Sequence, residues 1–200
     1  MTNDQASFEA ELGYAQKTSH LVDVTLRMMP NSAHHKAYAA LALALARDSQ
    51  RSETLLNEAI KDPALGTLMT NNTVPCVRGA IELDRGHPAR AIEELQRAIP
   101  YDLASDSAAL TLYLRGSAYL GLKAGKEAAA QFQKILDNHG LVSISVNWPL
   151  AHLGLARSYA LIDDTSKART AYQDFLTLWK DADPDIPILK QAKTEFAKLQ

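Results

Sequence analysis

Apolar residues recur along this chain at intervals of three and four, and short polar turns separate the segments that show this pattern. The spacing places the apolar side chains on one face of each segment, which is typical of packed helices. Proline, glycine and paired aspartates fall between the segments and interrupt the pattern. The chain is therefore predicted to be all-α, with helices near 33–47, 50–61, 72–85, 88–98, 106–122, 126–138, 149–161, 165–180 and 186–199.

A set of three residues occurs four times: a small residue, a second small residue twelve positions later, and a bulky apolar residue four beyond that. The sets start at positions 40, 79, 116 and 156, which are 39, 37 and 40 residues apart. A period of this size is typical of stacked helix pairs that cannot bury their apolar faces alone. We predict an α-solenoid of antiparallel helix pairs that touch at the small residues. The sets are Ala40/Ser52/Leu56, Gly79/Ala91/Leu95, Gly116/Ala128/Phe132 and Ala156/Ala168/Tyr172.

The period predicts one domain over residues 1–200, with about four repeats between two capping helices. The N-terminal helix falls within 1–30 and carries an apolar stripe from Phe8 to Met29, a spacing that a coiled-coil seam would also show. The C-terminal helix, 186–199, is expected to cover Tyr172 and Phe175 at the end of the array. Its apolar stripe is Ile188, Leu189, Ala192, Phe196 and Leu199, with Lys190, Lys193, Glu195 and Lys198 mainly opposite. The repeats are 33–61, 72–98, 106–138 and 149–180.

One connector, from His139 to Trp148, contains a strand-like run, Leu-Val-Ser-Ile-Ser-Val. Because the chain offers no second strand to pair with it, we predict a packed loop there.

Composition and charge narrow the function classes. Hydrophobic residues make up 46% and charged residues 22%, and a net charge of −2 gives no electrostatic reason to expect nucleic acid or an anionic membrane as a partner. The single Cys76 excludes an internal disulfide and suggests a reducing compartment. The N-terminus has no basic region before an apolar core, and no apolar run is long enough to span a bilayer. A cytoplasmic protein is expected.

No group of residues has the spacing of a catalytic, cofactor or metal site, and we predict a protein that is not an enzyme. Gly125-Lys126 lacks the other residues of a phosphate loop, and the adjacent His34 and His35 point about 100° apart on a helix. Cys76 is expected to be a buried apolar residue. The acidic groups at 163–164 and 181–185 fall at helix boundaries, where aspartate caps helix ends.

The third and fourth sets include an aromatic residue three positions after the first small one, Tyr119 and Tyr159. This arrangement resembles the tetratricopeptide repeat. The resemblance is strong over 106–180, moderate over 72–98 and weak over 33–61, where Leu43 replaces the aromatic residue. The period here exceeds the 34 residues of that family by three to six.

Three tracts are also similar to the C-terminal tetratricopeptide region of bacterial eukaryotic-like serine/threonine kinases and of winged-helix regulators, chiefly from acidobacteria. The resemblance implies a sensor or scaffold module of a signalling protein. It implies no kinase activity, since the chain lacks the glycine-rich loop and the His-Arg-Asp and Asp-Phe-Gly motifs. The tracts are YLRGSAYL at 113–120, AAAQFQKIL at 128–136 and AYQDFLTLWKDADPDIPIL at 171–189.

The tetratricopeptide resemblance implies a concave groove lined by the first helix of each pair. Only Arg157 matches the cations of that family's carboxylate clamp, so a mostly apolar groove for an amphipathic helix or extended peptide is expected. The predicted function is a non-catalytic scaffold for a protein or peptide. The alternative is a regulatory or sensor tail separated from its kinase or DNA-binding domain, and a hydrolase on a helical fold is a third class. The predicted groove residues are Ala37, Leu41, Cys76, Ala80, Tyr113, Ser117, Leu120, Leu153 and Arg157.

Overall fold

A computed structural model describes residues 14–102, 108–142 and 145–199, which form helices joined by turns and contain no strand. The all-α prediction is therefore confirmed over this part of the chain. Short 3-10 turns at Pro63–Leu65 and Ile99–Tyr101 and a π turn at Met69–Thr73 connect some of the helices. The α-helices are α1 (Ala15–Met28), α2 (Ala33–Leu45), α3 (Ser49–Ala59), α4 (Val74–Asp84), α5 (Pro88–Gln96), α6 (Ala108–Gly121), α7 (Gly125–Asp137), α8 (His139–Val142), α9 (Asn147–Leu161), α10 (Thr165–Leu178) and α11 (Pro187–Ala197).

The chain divides into two compact units, Met1–Tyr101 and Asp102–Gln200. In the first unit, α2 packs against α1, α3 and α4, and α4 packs against α5. In the second unit, α9 packs against α6, α7 and α10, and α11 packs on α10. Among the described residues, no helix has both the length and the apolar character needed to cross a membrane.

Four helix pairs, α2/α3, α4/α5, α6/α7 and α9/α10, are joined by turns of the same backbone form. Each turn contains one residue in the left-handed region: Arg47 (φ 63°), Gly86 (76°), Lys123 (58°) and Asp163 (59°). The amide of the next residue donates a hydrogen bond of 2.8 to 3.0 Å to the carbonyl five positions earlier, as in a Schellman motif. These four residues are 39, 37 and 40 positions apart. The period predicted from the small residues is thus present in the backbone.

Phe132 lies in a cradle made by two glycines. A Cβ atom added to Gly116 would lie 2.6 Å from Cζ of this ring, and one added to Gly154 would lie 2.5 Å from its Cε1 atom. The first unit repeats half of this arrangement, since a Cβ on Gly79 would lie 2.7 Å from Cγ of Leu95. The predicted contact between the helices of a pair is confirmed at Gly79 and Gly116, whereas the role of Gly154 was not predicted.

The other two sets also lie in the protein interior. The buried hydroxyl of Ser52 donates a 2.7 Å hydrogen bond to the carbonyl of Ala40, so this polar residue joins α3 to α2 without leaving an unpaired group. In the last pair, Ala156, Ala168 and Tyr172 are all buried. The small residues therefore mark interior positions in every pair.

The N-terminal helix packs on the first pair. Leu21 and Val22 of α1 form a core cluster with Leu43 and two alanines of α2. This contact is the one expected of a capping helix. The predicted positions at Phe8 and Leu12 lie outside the described residues.

The connector after α7 differs from the predicted loop. It begins with the short helix α8, His139–Val142, because the backbone forms one more helical turn before the chain reaches α9. Residues 143–144 lie outside the part that the structure describes.

The C-terminal helix packs as predicted against Tyr172. Leu189 and Ala192 of α11 are buried, and the ring centroids of Phe196 and Tyr172 are 5.8 Å apart. Phe175 is fully buried in α10 and stacks on Trp179 at 4.9 Å.

Candidate functional site

Five of the nine predicted groove residues lie in the core. Ala37, Leu41, Cys76, Ala80 and Leu153 expose between 0% and 4% of their surface. The helices that carry them, α2, α4 and α9, each pack against several neighbours, which leaves these small and apolar side chains no exposed face. Their assignment to a groove is corrected on this ground: they stabilise the helical layers and offer no surface to a partner.

The other four predicted residues are half-buried and lie in the second unit. Tyr113, Ser117 and Leu120 lie on α6, and Arg157 lies on α9. The Tyr113 ring packs edge-on against Phe132, with centroids 5.8 Å apart, which fixes its direction. The Ser117 hydroxyl donates to the Tyr113 carbonyl at 2.9 Å. The predicted aromatic residue and the predicted cation thus lie on two helices that pack against each other.

Arg157 is the centre of a polar cluster that also contains Tyr172 and Glu195, which we call the Arg157 cluster. The guanidinium donates from Nε and Nη2 to the two carboxylate oxygens of Glu195, at 2.9 and 3.1 Å. The Tyr172 hydroxyl donates to the same carboxylate at 3.0 Å. Side-chain exposure is 26% for Arg157 and 25% for Glu195, so the pair is accessible at one side. A carboxylate is therefore held by three hydrogen bonds.

The environment keeps both donors of the Arg157 cluster protonated. Burial opposes the charge of Arg157, but hydrogen bonding and attraction from Glu195 outweigh it and raise the pKa of the guanidinium. Burial raises the pKa of the Tyr172 hydroxyl well above its usual value, and Glu195 raises it further. Neither group is activated as a base or nucleophile. The arrangement is suited to binding a carboxylate through charge-assisted hydrogen bonds.

Tyr172 and Glu195 were not among the predicted site residues. Tyr172 reads in the sequence as the bulky apolar member of the fourth set, which its burial confirms, although its hydroxyl reaches the cluster. Glu195 was placed on the polar face of α11, but it turns toward Arg157. Its position next to Phe196 and three residues after Ala192, both on the apolar stripe, is the sequence signal that could have located it.

A second cluster lies beside α9 in the same unit. The Trp148 ring packs against His139 at a ring-centroid distance of 4.5 Å and meets His152 edge-on at 5.3 Å. His152 Nδ1 lies 3.9 Å from a carboxylate oxygen of Asp174. The pKa of His152 is lowered because burial disfavours the imidazolium, and attraction to Asp174 opposes this only in part.

The lowered pKa of His152 predicts a pH dependence of folding. When the pH falls through the usual histidine value of 6.5, the unfolded chain takes up this proton and the folded chain does not, so folding stability decreases. We expect the melting temperature of the unmodified chain to fall more between about pH 7.5 and pH 5.5 than that of His152→Gln. The other histidines are common to both chains and cancel in this comparison. Equal losses in thermal melts would contradict the assignment.

The first unit has a cavity of about 200 Å³ between α3, α4 and α5. Its walls are largely charged, and Arg85 pairs there with Glu53 at 2.6 Å and with Glu82 at 3.3 Å. Since these lining charges are directed at one another, we assign the cavity no ligand.

The remaining sequence candidates have structural roles. Cys76 is buried, as expected. Asp164 caps α10 by accepting from the Lys167 amide at 3.2 Å, and Asp183 accepts from the Asp185 amide at 2.8 Å. Across the described ranges, no three acidic, histidine or cysteine side chains are grouped as metal ligands.

Comparison of this chain with protein-family models, with curated proteins and with solved structures gave no match.

Proposed function

We propose that this protein is a non-catalytic interaction scaffold whose helix pairs stack in the manner of tetratricopeptide repeats, and that it binds a peptide or helix of a partner protein. The four turns of identical form and their 37 to 40 residue spacing support the repeat. The tetratricopeptide resemblance of residues 106–180 supports the kind of partner.

The observation that carries this proposal is the Arg157 cluster. It contains an arginine and a tyrosine, which are residue types that often dominate binding energy at protein surfaces. The guanidinium and the Tyr172 hydroxyl already hold one carboxylate, and Arg157 remains 26% exposed. A partner is proposed to bind across α6 and α9 at this cluster.

The function is tested by removing the two predicted anchors together. We expect the variant Tyr113→Ala, Arg157→Ala to lose affinity for its partner by at least tenfold, about 1.4 kcal/mol. The partner is first captured from the source cell with the intact chain, and its affinity for each purified variant is then measured by isothermal titration calorimetry. Circular dichroism checks that the variant keeps its helical content.

Lys134 of α7 and Gln173 of α10 provide the matched controls. Both side chains are exposed and lie outside the Arg157 cluster. Lys134→Ala and Gln173→Ala are expected to bind the partner normally. The proposal fails if these changes displace the partner while the double variant binds it as well as the unmodified chain does.

A further inference from the structure

We propose that α11 is an internal ligand of the Arg157 cluster, and that the partner is a helix with the same chemistry: a carboxylate followed directly by an aromatic residue, after a short apolar stripe. This inference rests on the proposed function and specifies the partner of that site.

The first support is the geometry of the carboxylate. Glu195 reaches from α11 to α9 and accepts hydrogen bonds from Nε and Nη2 of Arg157, at 2.9 and 3.1 Å. It accepts a third from the Tyr172 hydroxyl at 3.0 Å. This bidentate contact favours a carboxylate over a neutral group or a group that accepts only one hydrogen bond. A capping helix needs only to cover apolar surface, so burial alone does not require this contact.

The second support is the apolar pattern around Glu195. Phe196 is the next residue, and its ring lies 5.8 Å from that of Tyr172 at an angle of 38°. Leu189 and Ala192 are almost fully buried at the positions seven and four residues before Phe196. Positions i, i+3 and i+7 share one face of a helix. The surface therefore selects Leu-x-x-Ala-x-x-Glu-Phe on a helix.

The third support is the way in which α11 is attached. The connector between α10 and α11 is mostly exposed, and Asp183, Pro184 and Asp185 all face solvent. The ion pair of Lys190 with Asp185, 2.8 Å, joins α11 to its own connector. An element that is joined to the rest of the fold by an exposed linker can open locally while the other elements stay folded. A competing helix can therefore replace α11 without unfolding the other pairs.

The test uses a fluorescent peptide with the sequence of residues 187–199 and the full-length chain. The unmodified chain is expected to bind this peptide weakly, since α11 competes for the same site. The chain variant Glu195→Gln, Phe196→Ala weakens the internal competitor, so its affinity for the peptide is expected to rise by at least about tenfold. Adding Arg157→Gln to that variant is expected to abolish the gain. Fluorescence anisotropy measures each affinity.

Lys193 of α11 provides the matched control, because its side chain is exposed on the opposite face. The chain variant Lys193→Gln is expected to bind the peptide as weakly as the unmodified chain. A peptide carrying Glu195→Gln is expected to lose the gain in affinity. The single chain variant Glu195→Gln keeps the test valid if the double variant loses helical content, as judged by circular dichroism.

Two results would overturn the inference. In the first, the peptide binds all chain variants with equal affinity or binds none of them. In the second, the gain in peptide affinity persists when Arg157→Gln is added. Either result shows that α11 acts only as a cap. The proposed function would still stand if the cellular partner depended on Tyr113 and Arg157. If the partner's affinity is unchanged by Tyr113→Ala, Arg157→Ala while the peptide binds as expected, the proposed function is wrong and the inference about α11 stands.

Discussion

Replacing Asp102 by alanine is expected to destabilise the second unit by about 3–5 kcal/mol. The reason is Arg115 of α6, which is 4% exposed and is held by both oxygens of the Asp102 carboxylate, with one contact at 2.8 Å. Gln131 accepts a further hydrogen bond from its Nε at 3.1 Å. Without Asp102, a buried positive charge loses its partner, and its desolvation is no longer offset.

Tryptophan fluorescence during urea unfolding measures this loss in the correct unit, because both tryptophans of the chain, Trp148 and Trp179, belong to the second unit. The double variant Asp102→Ala, Arg115→Met is expected to be more stable than Asp102→Ala alone, since it removes the unpaired charge. Asp181→Ala, at a carboxylate with 88% side-chain exposure, is the neutral control. A loss for Asp102→Ala no larger than for Asp181→Ala would show that this buried pair contributes nothing.

The second large effect is expected at the glycine cradle of Phe132. Gly116→Leu and Gly154→Leu each place a side chain where even a Cβ atom would lie within 2.6 Å of the ring. The ring is fully buried and cannot move aside. Overpacking of a close-packed core costs about 1–3 kcal/mol, and we expect losses at the upper end of that range because a whole leucine must be accommodated. Urea unfolding followed by tryptophan fluorescence measures the change.

The control for this prediction is Gly140→Leu in α8, where an added Cβ would meet no atom within 4 Å. It is expected to be nearly neutral. The variant Gly154→Ala is expected to lose less stability when it is combined with Phe132→Leu than the sum of the two single losses, because the smaller side chain makes room for the methyl group. If the loss of stability in the double variant equals the sum of the two single losses, the contact between Gly154 and Phe132 is not the cause.

Most of the fold could be predicted from local patterns in the sequence. The spacing of apolar residues places helices within a few residues of their observed ends, and the close approach of α6 and α7 at Gly116 was expected from the period of the small residues. The helices are indicated by apolar spacings of three and four residues, and the close approach by a period of 37 to 40 residues. The helical turn at His139–Val142 is the exception, since its last two residues, Leu141 and Val142, begin the strand-like run.

The candidate site could be predicted only in part. The helices that carry Tyr113 and Arg157, each the first of its pair, pack against each other. The sequence does not show which side of a helix is covered by a third or fourth neighbour, so Ala37 and Cys76 were assigned to a surface although they are buried. Glu195 approaches Arg157 from 38 residues away, a distance that no local pattern encodes.

The four left-handed turns have a consequence for how such a chain can change over evolutionary time. A left-handed backbone costs a residue other than glycine on the order of 1 kcal/mol, and only Gly86 avoids this cost, whereas Arg47, Lys123 and Asp163 accept it. The form of the turn is therefore set by the two helices and by the hydrogen bond across the turn, not by the residue at its centre. Chains with different residues at this position can therefore form the same turn, so relatedness can be retained in backbone angles after sequences have diverged.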